Sequence, residues 1–213
     1  MTSELHIDRY CVAIGSQVVD LPLVPIGPDN AISLLMTIDR GVQFMAQAGA
    51  ELAELLRGDE PEIVASAATL GIPVAIEVSR ALGLDDYVIL QKTPKIHLAD
   101  ALAEPLVSIT TVGRQDLLLD RARVPAVEGR RVALVDDVIA TGGSMAASLR
   151  LLRAAHADAV AIGVLLAEGD EWRGQLGTDA NMVRPLGVIP GFRRVTGGWE
   201  EVWPPGRYEG EKD

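Results

Sequence analysis

The sequence predicts an α/β fold built on an open parallel sheet that is flanked by helices. Short apolar runs alternate with segments whose apolar residues recur at helical spacing along most of the 213 residues. One of these runs carries two adjacent acids and is followed by a loop with paired glycines and by a segment rich in Ala and Leu. That order is typical of a strand, a tight turn and a helix. The apolar fraction of 48% is ample for the core of one domain.

The N-terminal part of the chain predicts a hairpin and then a helix. Residues 9–14 and 17–24 flank a Gly-Ser pair, as the two strands of a β-hairpin do. Between Asp39 and Leu56 the apolar residues recur at helical spacing. We expect Asp39 to cap this helix and Gly58 to end it.

The remaining elements continue the alternation. Strands are predicted at residues 62–66, 87–91, 132–138, 159–166 and 182–189. One helix is expected to end at Leu82 and another to span residues 144–155, while residues 106–111 and 117–119 are expected to pair as a ribbon. Strands that alternate with helices in this way predict a parallel sheet with right-handed crossovers.

The two adjacent acids, Asp136 and Asp137, are the most informative residues of the chain. Burying two neighbouring carboxylates in a core costs several kcal/mol, so we expect them at the exposed carboxyl end of their strand. Ligands bind at that end in open parallel sheets.

The loop that follows the acids has the composition of a phosphate site. Gly142 and Gly143 allow a tight turn that aims successive backbone N–H groups at an anion. Ser144 begins a helix whose N-terminal partial charge favours phosphate. Two acceptors for hydroxyl groups beside a cradle for one phosphate would suit a ribose 5-phosphate.

The stretch from Val132 to Ser144 closely resembles the motif with which type I phosphoribosyltransferases bind 5-phosphoribosyl 1-pyrophosphate (PRPP). That motif has four hydrophobic residues, two acids and a Thr-Gly-Gly-Thr/Ser loop. The resemblance implies that Asp136 and Asp137 hold the ribose 2- and 3-hydroxyls. It also implies that the 5-phosphate is wrapped by Ala140, Thr141, Gly142, Gly143 and Ser144. The alternative is an unrelated Rossmann-like loop.

The same resemblance implies the layout of the whole chain. The fold would be a single domain whose core covers residues 39–182, with a small hood built from residues 1–38 and 183–213. Type I enzymes are commonly dimers, so a homodimer is expected.

Two further segments resemble the pyrophosphate site of this family. Ala68, Thr69 and Leu70 follow a strand and precede a helix with Pro73 near its start, which is similar to the pyrophosphate loop of purine-type members. A plain strand-to-helix turn is the alternative. Lys92, and secondarily Lys95, follow the next strand and would neutralise the pyrophosphate, although exposed lysines often have no such role.

Residues 108–123 resemble the loop that folds over the reactants in this family. Gly113 and polar neighbours lie between two strand-like pieces. Displacement at the anomeric carbon passes through an oxocarbenium-like state that water would capture, so the site has to close. We expect Arg114 to reach the leaving pyrophosphate.

The residues expected at the base are Val24 and Ile26 in the hood and Glu168 and Trp172 after the strand that follows the motif. Members of the family that act on 6-oxopurines commonly carry a lysine after that strand, whereas this chain has Gly169 and Asp170 there. This departure favours an amino-purine such as adenine. Glu168 would accept from a ring or exocyclic N–H or be a solvated acid, and Trp172 would stack on the base or pack in the hood.

Composition limits the partners and cofactors. A net charge of −11 argues against nucleic acid. No apolar run is long enough to span a membrane and the start of the chain is polar, so we expect a cytoplasmic protein. Cys11, the one cysteine, excludes an internal disulfide and is expected to be packed. The three histidines lack ligand spacing, so no zinc site is expected, and the metal implied is Mg²⁺ arriving with PRPP.

The predicted reaction is transfer of the 5-phosphoribosyl group from Mg–PRPP to a purine base, with adenine favoured, and release of pyrophosphate. Two alternatives stay open. One is a divergent transferase that uses an unusual base or another pyrophosphorylated sugar, and the other is a regulator without catalysis that senses PRPP.

Overall fold

The computed structural model describes residues 9–93, 100–106 and 115–204. The strands, in chain order, are β1 (Arg9–Ile14), β2 (Gln17–Pro25), β3 (Asn30–Ser33), β4 (Ile63–Ala67), β5 (Tyr87–Leu90), β6 (Ala101–Leu106), β7 (Gln115–Asp120), β8 (Arg131–Ile139), β9 (Asp158–Glu168), β10 (Val183–Ile189), β11 (Gly191–Val195) and β12 (Gly198–Val202). The α-helices are α1 (Val42–Leu56), α2 (Gly71–Leu82), α3 (Gly143–Ala154) and α4 (Glu171–Leu176).

A parallel sheet of five strands forms the centre of the protein, in the order β10-β9-β8-β4-β5. Its strands are rich in Val, Ile, Leu and Ala, and β4 is buried along its whole length. Runs without polar alternation are typical of strands that are covered on both faces. The predicted open parallel sheet is therefore confirmed.

The two faces of the central sheet pack into two separate cores. Ile63 and Ala65 face a core that contains α3 and β7, whereas Val64 faces a core that contains α1, α2 and the first hairpin. This alternation follows from the two-residue period of a strand. The cores hold the sheet between helical layers, so its carboxyl edge stays available for a site.

A second sheet forms the predicted hood. It is antiparallel, in the order β1-β2-β3-β11-β12, and joins the first hairpin to the C-terminal one. The sequence did not predict β3, β11 and β12. β3 has only four residues, and the last hairpin carries charged residues such as Arg193 and Glu200 in place of an apolar run. Since β10 belongs to the central sheet, the C-terminal part of the hood begins at residue 191 and not at 183.

The predicted ends of the first helix were wrong. Asp39 lies in a short 3-10 helix, Thr37–Asp39, and α1 begins after Gly41. At the other end, a second 3-10 turn takes up Gly58, and Glu60 adopts the left-handed conformation with φ 44°. Tight turns at both ends use the backbone N–H and C=O groups that side-chain caps would otherwise satisfy.

Residues 117–119 lie in a two-stranded ribbon as predicted, but they pair with residues 102–104 and not with the predicted residues 106–111. β6 pairs antiparallel with β7, from Ala101 opposite Asp120 to Leu106 opposite Gln115. The rest of the predicted first arm, residues 107–111, lies outside the described residues. Pro105 obscured this strand in the sequence, since proline is confined to edge positions of sheets.

Cys11 is exposed, contrary to the expectation that it packs. It lies on β1, where burial alternates, and its side chain falls on the outward face of that strand. Among the residues that the structure describes, no helix is long and apolar enough to cross a membrane.

Candidate active site

Four neighbouring strands of the central sheet end at one edge and bring the predicted site segments together. β4 leads into Ala68–Leu70, β5 leads to Lys92, β8 carries the two acids and β9 ends on Glu168. The register aligns these ends, since Ala67 lies opposite Leu90 and Ile139 lies opposite Ala167. The edge therefore collects the residues at which parallel sheets bind ligands.

Asp136 and Asp137 lie inside β8 and not at its exposed end as predicted. The strand runs on to Ile139, paired with β9 on one side. Its pairing with β4 stops at Val135, so β4 does not pair with the acids on the other side. The backbone N–H of Asp137 donates to Oδ1 of Asp136 at 3.0 Å. The two acids are partly buried although they lie within the strand, because β4 does not extend beside them.

The electrostatics of the acid pair favour a ligand that donates hydrogen bonds. Burial, reinforced by the charge of Asp137, raises the pKa of Asp136 well above its ordinary value. Burial also raises the pKa of Asp137, while the nearby charge of Lys92 lowers the pKa of both. Two carboxyls that resist ionisation together are stabilised by donors such as hydroxyl groups or by cations.

The loop after β8 encloses a small cavity of about 170 Å³. Of the predicted phosphate residues, Ala140, Thr141, Gly142 and Ser144 line it together with Asp136. Gly143 is the first residue of α3. The amide groups of the first turn of a helix lack acceptors within the helix, so they are available to an anion.

Gly142 is the loop position at which only glycine fits the observed backbone conformation and packing. Its φ is +83°, and a Cβ there would lie 3.0 Å from both Cα and Cβ of Trp172. Trp172 is 2% exposed, and its Nε1 donates to the carbonyl oxygen of Gly169 at 3.2 Å. Of the two roles expected for Trp172, packing is therefore the one observed, and its ring is not available to stack on a base.

The predicted pyrophosphate segment forms a tight connection between β4 and α2. The N–H of Ala68 donates to the carbonyl of Leu90 at 2.9 Å, and the Ala68–Thr69 peptide bond is cis. The hydroxyl of Thr37 donates to the carbonyl of Leu70 at 2.6 Å. A distant part of the chain thus holds the end of this segment.

Gly71 and Ser66 place the pyrophosphate segment against the acid pair. A Cβ on Gly71 would lie 2.0 Å from Oγ of Ser66 and 2.6 Å from Oδ1 of Asp136. Neither residue, nor Thr37, was singled out from the sequence. A glycine between a small-residue strand and a helix was the available signal for Gly71, whereas the position of Thr37 is visible only in three dimensions.

A larger cavity of about 580 Å³ lies between the hood and the sheet edge. It adjoins the small cavity, because Ala140 and Thr141 line both. Ile26 and Glu168 line it as predicted, whereas Val24 lies on β2, partly buried, and is not among the described lining residues. The described residues that line it and that the sequence did not indicate are Asn30, Ala31, Ile32, Gly191, Phe192, Arg193, Val202, Trp203 and Pro204.

The residues of the cavity that follow β9 are mainly acidic. Glu168, Asp170 and Glu171 line it, and no lysine is among the described lining residues. Burial raises the pKa of Glu168 from 4.5 to about 7, and the charge of Glu171 adds to the rise. Near neutral pH this carboxyl group therefore changes between a donor and an acceptor.

The opposite wall of the cavity comes from the C-terminal hairpin. Phe192 lines it and packs edge-to-face on Tyr10, with ring centroids 5.2 Å apart. Arg193 also lines it and forms an ion pair with Glu200 at 2.8 Å. Phe192, together with Trp203 from the segment after β12, thus brings the C-terminal part of the chain into the cavity wall.

Two predicted residues, Lys95 and Arg114, lie outside the described residues. In the part of the chain that is described, no three His, Cys, Asp or Glu side chains cluster as a metal site. Among the described residues, the paired carboxylates Asp136 and Asp137 are the candidate ligands for a divalent cation in this cleft. That set fits Mg²⁺, which binds through one or two carboxylates together with substrate phosphates and water.

Comparison with known proteins extends these observations. Residues 38–186 match the family model of the phosphoribosyl transferase domain. The adenine phosphoribosyltransferase of Acidiphilium cryptum is 31% identical over 138 residues, which cover 62% of this chain and 74% of that protein. The enzyme of the same name from Mycobacteroides abscessus is 60% identical over 42 residues, which cover 20% of this chain and 24% of that protein.

The fold also has close counterparts among solved structures. That of the adenine phosphoribosyltransferase from Rhodothermus marinus matches with a TM-score of 0.61 at 22% sequence identity. The match covers 79% of this chain and 93% of that chain. At this identity the likeness shows a shared architecture.

Proposed function

Since the chain belongs to the phosphoribosyltransferase family, we propose that it transfers the 5-phosphoribosyl group of PRPP to a purine base and releases pyrophosphate. The observation that carries the proposal is the pair of adjoining cavities at the sheet edge, which share Ala140 and Thr141. One has the groups to hold a sugar phosphate, and the other has the size and the lining for an acceptor.

The donor is proposed to occupy the small cavity and the segments around it. The phosphate would accept from the backbone N–H groups at the start of α3. The ribose hydroxyls would donate to Asp136 and Asp137, which removes the cost of two adjacent buried carboxylates. The pyrophosphate would lie between Ala68–Leu70 and Lys92, whose positive charge near the acid pair would counter that of the pyrophosphate.

The acceptor is proposed to be adenine. Its exocyclic amino group is a hydrogen-bond donor, and Glu168, Asp170 and Glu171 supply acceptors in the larger cavity. An oxo group in the same place would need a donor. The described residues after β9 do not supply a lysine for it, and Arg193 is paired with Glu200.

The chemistry asked of the chain is positioning and charge stabilisation. The base nitrogen bonds to the anomeric carbon while the bond from that carbon to the pyrophosphate oxygen breaks, and the electron pair leaves with pyrophosphate. Asp136 and Asp137 would stabilise the positive charge that develops on the ribose ring, and the hood would keep water away. When bound with the donor, Mg²⁺ supplies charge neutralisation of the leaving group.

The test is turnover with Mg–PRPP and, in separate assays, adenine, guanine, hypoxanthine, xanthine, uracil and orotate, followed by pyrophosphate release and identification of the nucleotide. We expect turnover with adenine. Asp136→Asn and Asp137→Asn should each lower kcat/KM by about 10- to 100-fold, because hydrogen bonds to a charged acceptor are lost.

Asp158→Asn is the matched control, since this acid begins β9 at the opposite end of the sheet. It should leave kcat/KM unchanged. Turnover with another base and not with adenine would overturn the assignment of adenine. PRPP binding without turnover on any of the six bases would support the proposed donor site and overturn the proposal that a nucleobase is the acceptor.

A further inference from the structure

Thr37 is a buried polar residue whose only described side-chain bond reaches the pyrophosphate segment. It lies in the 3-10 helix before α1, is 1% exposed, and donates from Oγ1 to the carbonyl oxygen of Leu70 at 2.6 Å. The two residues are 33 positions apart in the chain. The contact therefore ties the end of the hood segment to the start of α2.

The hydrogen bond from Thr37 to the carbonyl of Leu70 also determines the direction of the neighbouring N–H of Gly71. The carbonyl of Leu70 and the N–H of Gly71 belong to one trans peptide plane, so they point in opposite directions. Gly71 is the first residue of α2, and its N–H has no acceptor within the helix. Holding the carbonyl toward Thr37 thus aims this N–H away from Thr37.

Gly71 lies beside one of the two acids of the candidate site. A Cβ there would lie 2.6 Å from Oδ1 of Asp136, so the residue is in contact with the acid pair. Lys92 acts on the same pair from the end of β5. The N–H that Thr37 orients therefore belongs to a residue that lies next to Asp136, one of the proposed ribose ligands.

We propose that Thr37 is a positioning residue for pyrophosphate recognition: its hydroxyl holds the Leu70–Gly71 peptide so that the Gly71 N–H donates to the pyrophosphate of the donor. The inference rests on the proposed function, because it assumes that PRPP binds at this edge. It adds Thr37, a residue from outside both binding loops, to the proposed site.

The experiment measures the affinities of PRPP and ribose 5-phosphate, each with Mg²⁺, by calorimetry. Thr37→Val keeps the shape of the side chain and removes the hydroxyl. We expect it to weaken PRPP binding about three- to tenfold, as loss of one hydrogen bond does, and to leave ribose 5-phosphate unaffected. Thr37→Ser keeps the hydroxyl and should restore the wild-type affinity for PRPP.

The control is Ser79→Ala, which removes another buried hydroxyl from the far end of α2. It should change neither affinity. In turnover assays Thr37→Val should raise the KM for PRPP and leave the KM for adenine unchanged. If Thr37→Val does not fold, Thr37→Ala takes its place in the same comparison.

The outcomes separate the two proposals. Equal weakening of PRPP and ribose 5-phosphate in Thr37→Val, or no weakening of either, would overturn the role of Thr37 and leave the proposed function standing. A wild-type protein that binds neither ligand would overturn the proposed function and the role of Thr37 with it.

Discussion

Single carboxyl groups in this site differ from ordinary surface acids because of where the fold places them. Asp136 is hard to ionise because of burial and its neighbour Asp137, and Glu168 because of burial and Glu171. Perturbed acids collected in one cleft are typical of functional sites. Here they lie on adjacent strands, β8 and β9, and face adjoining cavities.

Glu168 provides a pH-dependent prediction. With a pKa of about 7 it is mainly a neutral acid at pH 6 and mainly a carboxylate at pH 8. If it accepts from the amino group of adenine, the charged form binds better, so the KM for adenine should fall about five- to tenfold as pH rises across this range. Steady-state kinetics at saturating PRPP measure it.

Two variants test the origin of that profile. In Glu168→Gln the acceptor no longer titrates, so the KM for adenine should be flat between pH 6 and 8. Glu171→Gln removes the charge that raises the pKa of Glu168, so the transition should move to lower pH. A wild-type profile that persists in Glu168→Gln would assign the titration to another group.

The loop after β8 and the start of α3, where the phosphate is proposed to bind, are positioned by packing against α4. The loop after β8 turns at Gly142, and the backbone and side chain of Trp172, from α4, lie against it. The carbonyl of Gly142 accepts from the N–H of Ala146 at 2.9 Å and so begins α3. The direction of the free amides of this helix therefore depends on one residue in the left-handed conformation.

Gly142→Ala should impair phosphate binding for both reasons. A left-handed alanine costs about 1–2 kcal/mol, and the added methyl group meets Trp172 at 3.0 Å, so the loop has to move. We expect the KM for PRPP to rise at least about tenfold. Steady-state kinetics and a thermal melt are the measurements.

Gly83→Ala separates the two causes. Gly83 also has a positive φ, +76°, but a Cβ there meets nothing within 4 Å, and the residue caps α2 at its far end. It should lower the melting temperature and leave the KM for PRPP unchanged. A similar KM in both variants would mean that the contact with Trp172 does not matter to the loop.

At the scale of the whole molecule, the central sheet contributes to both cavities of the proposed site, whereas the described hood residues line the larger cavity alone. The central sheet carries the acids, the phosphate loop and Lys92, whereas the antiparallel hood carries Ile26, Phe192 and Arg193. Because no described hood residue lines the small cavity, changes in the cavity-lining residues of the hood should act on the acceptor alone.

Ile26→Ala tests this division. The residue is 58% exposed and lines the larger cavity, so truncation costs the fold little and removes apolar contact from the acceptor. The KM for adenine should rise about three- to tenfold, from the lost apolar burial, at an unchanged KM for PRPP. Val18→Ala, on β2 of the hood at 72% exposure but away from the described cavity lining, should alter neither constant. A parallel rise in both constants for Ile26→Ala would show that the halves are coupled.

The sequence by itself determined the parallel sheet and the first hairpin, and it indicated the residues of the proposed donor half of the site. These features are local. Strands that are buried on both faces have continuous apolar runs, and the acids, glycines and serine of the predicted phosphate motif all lie between residues 136 and 144. A motif within one strand, loop and helix carries its own geometry, so its position relative to the sheet follows from the fold class.

Tertiary structure decided the acceptor half and the support of the site. β3 pairs with β11 across more than 150 residues, Thr37 reaches Leu70, and Trp172 packs beneath Gly142. None of these contacts follows from periodicity or from the spacing of a motif, because each depends on which surfaces the cores bring together. The short, charged strands of the hood are stable as strands only through that pairing, so their sequence alone did not identify them.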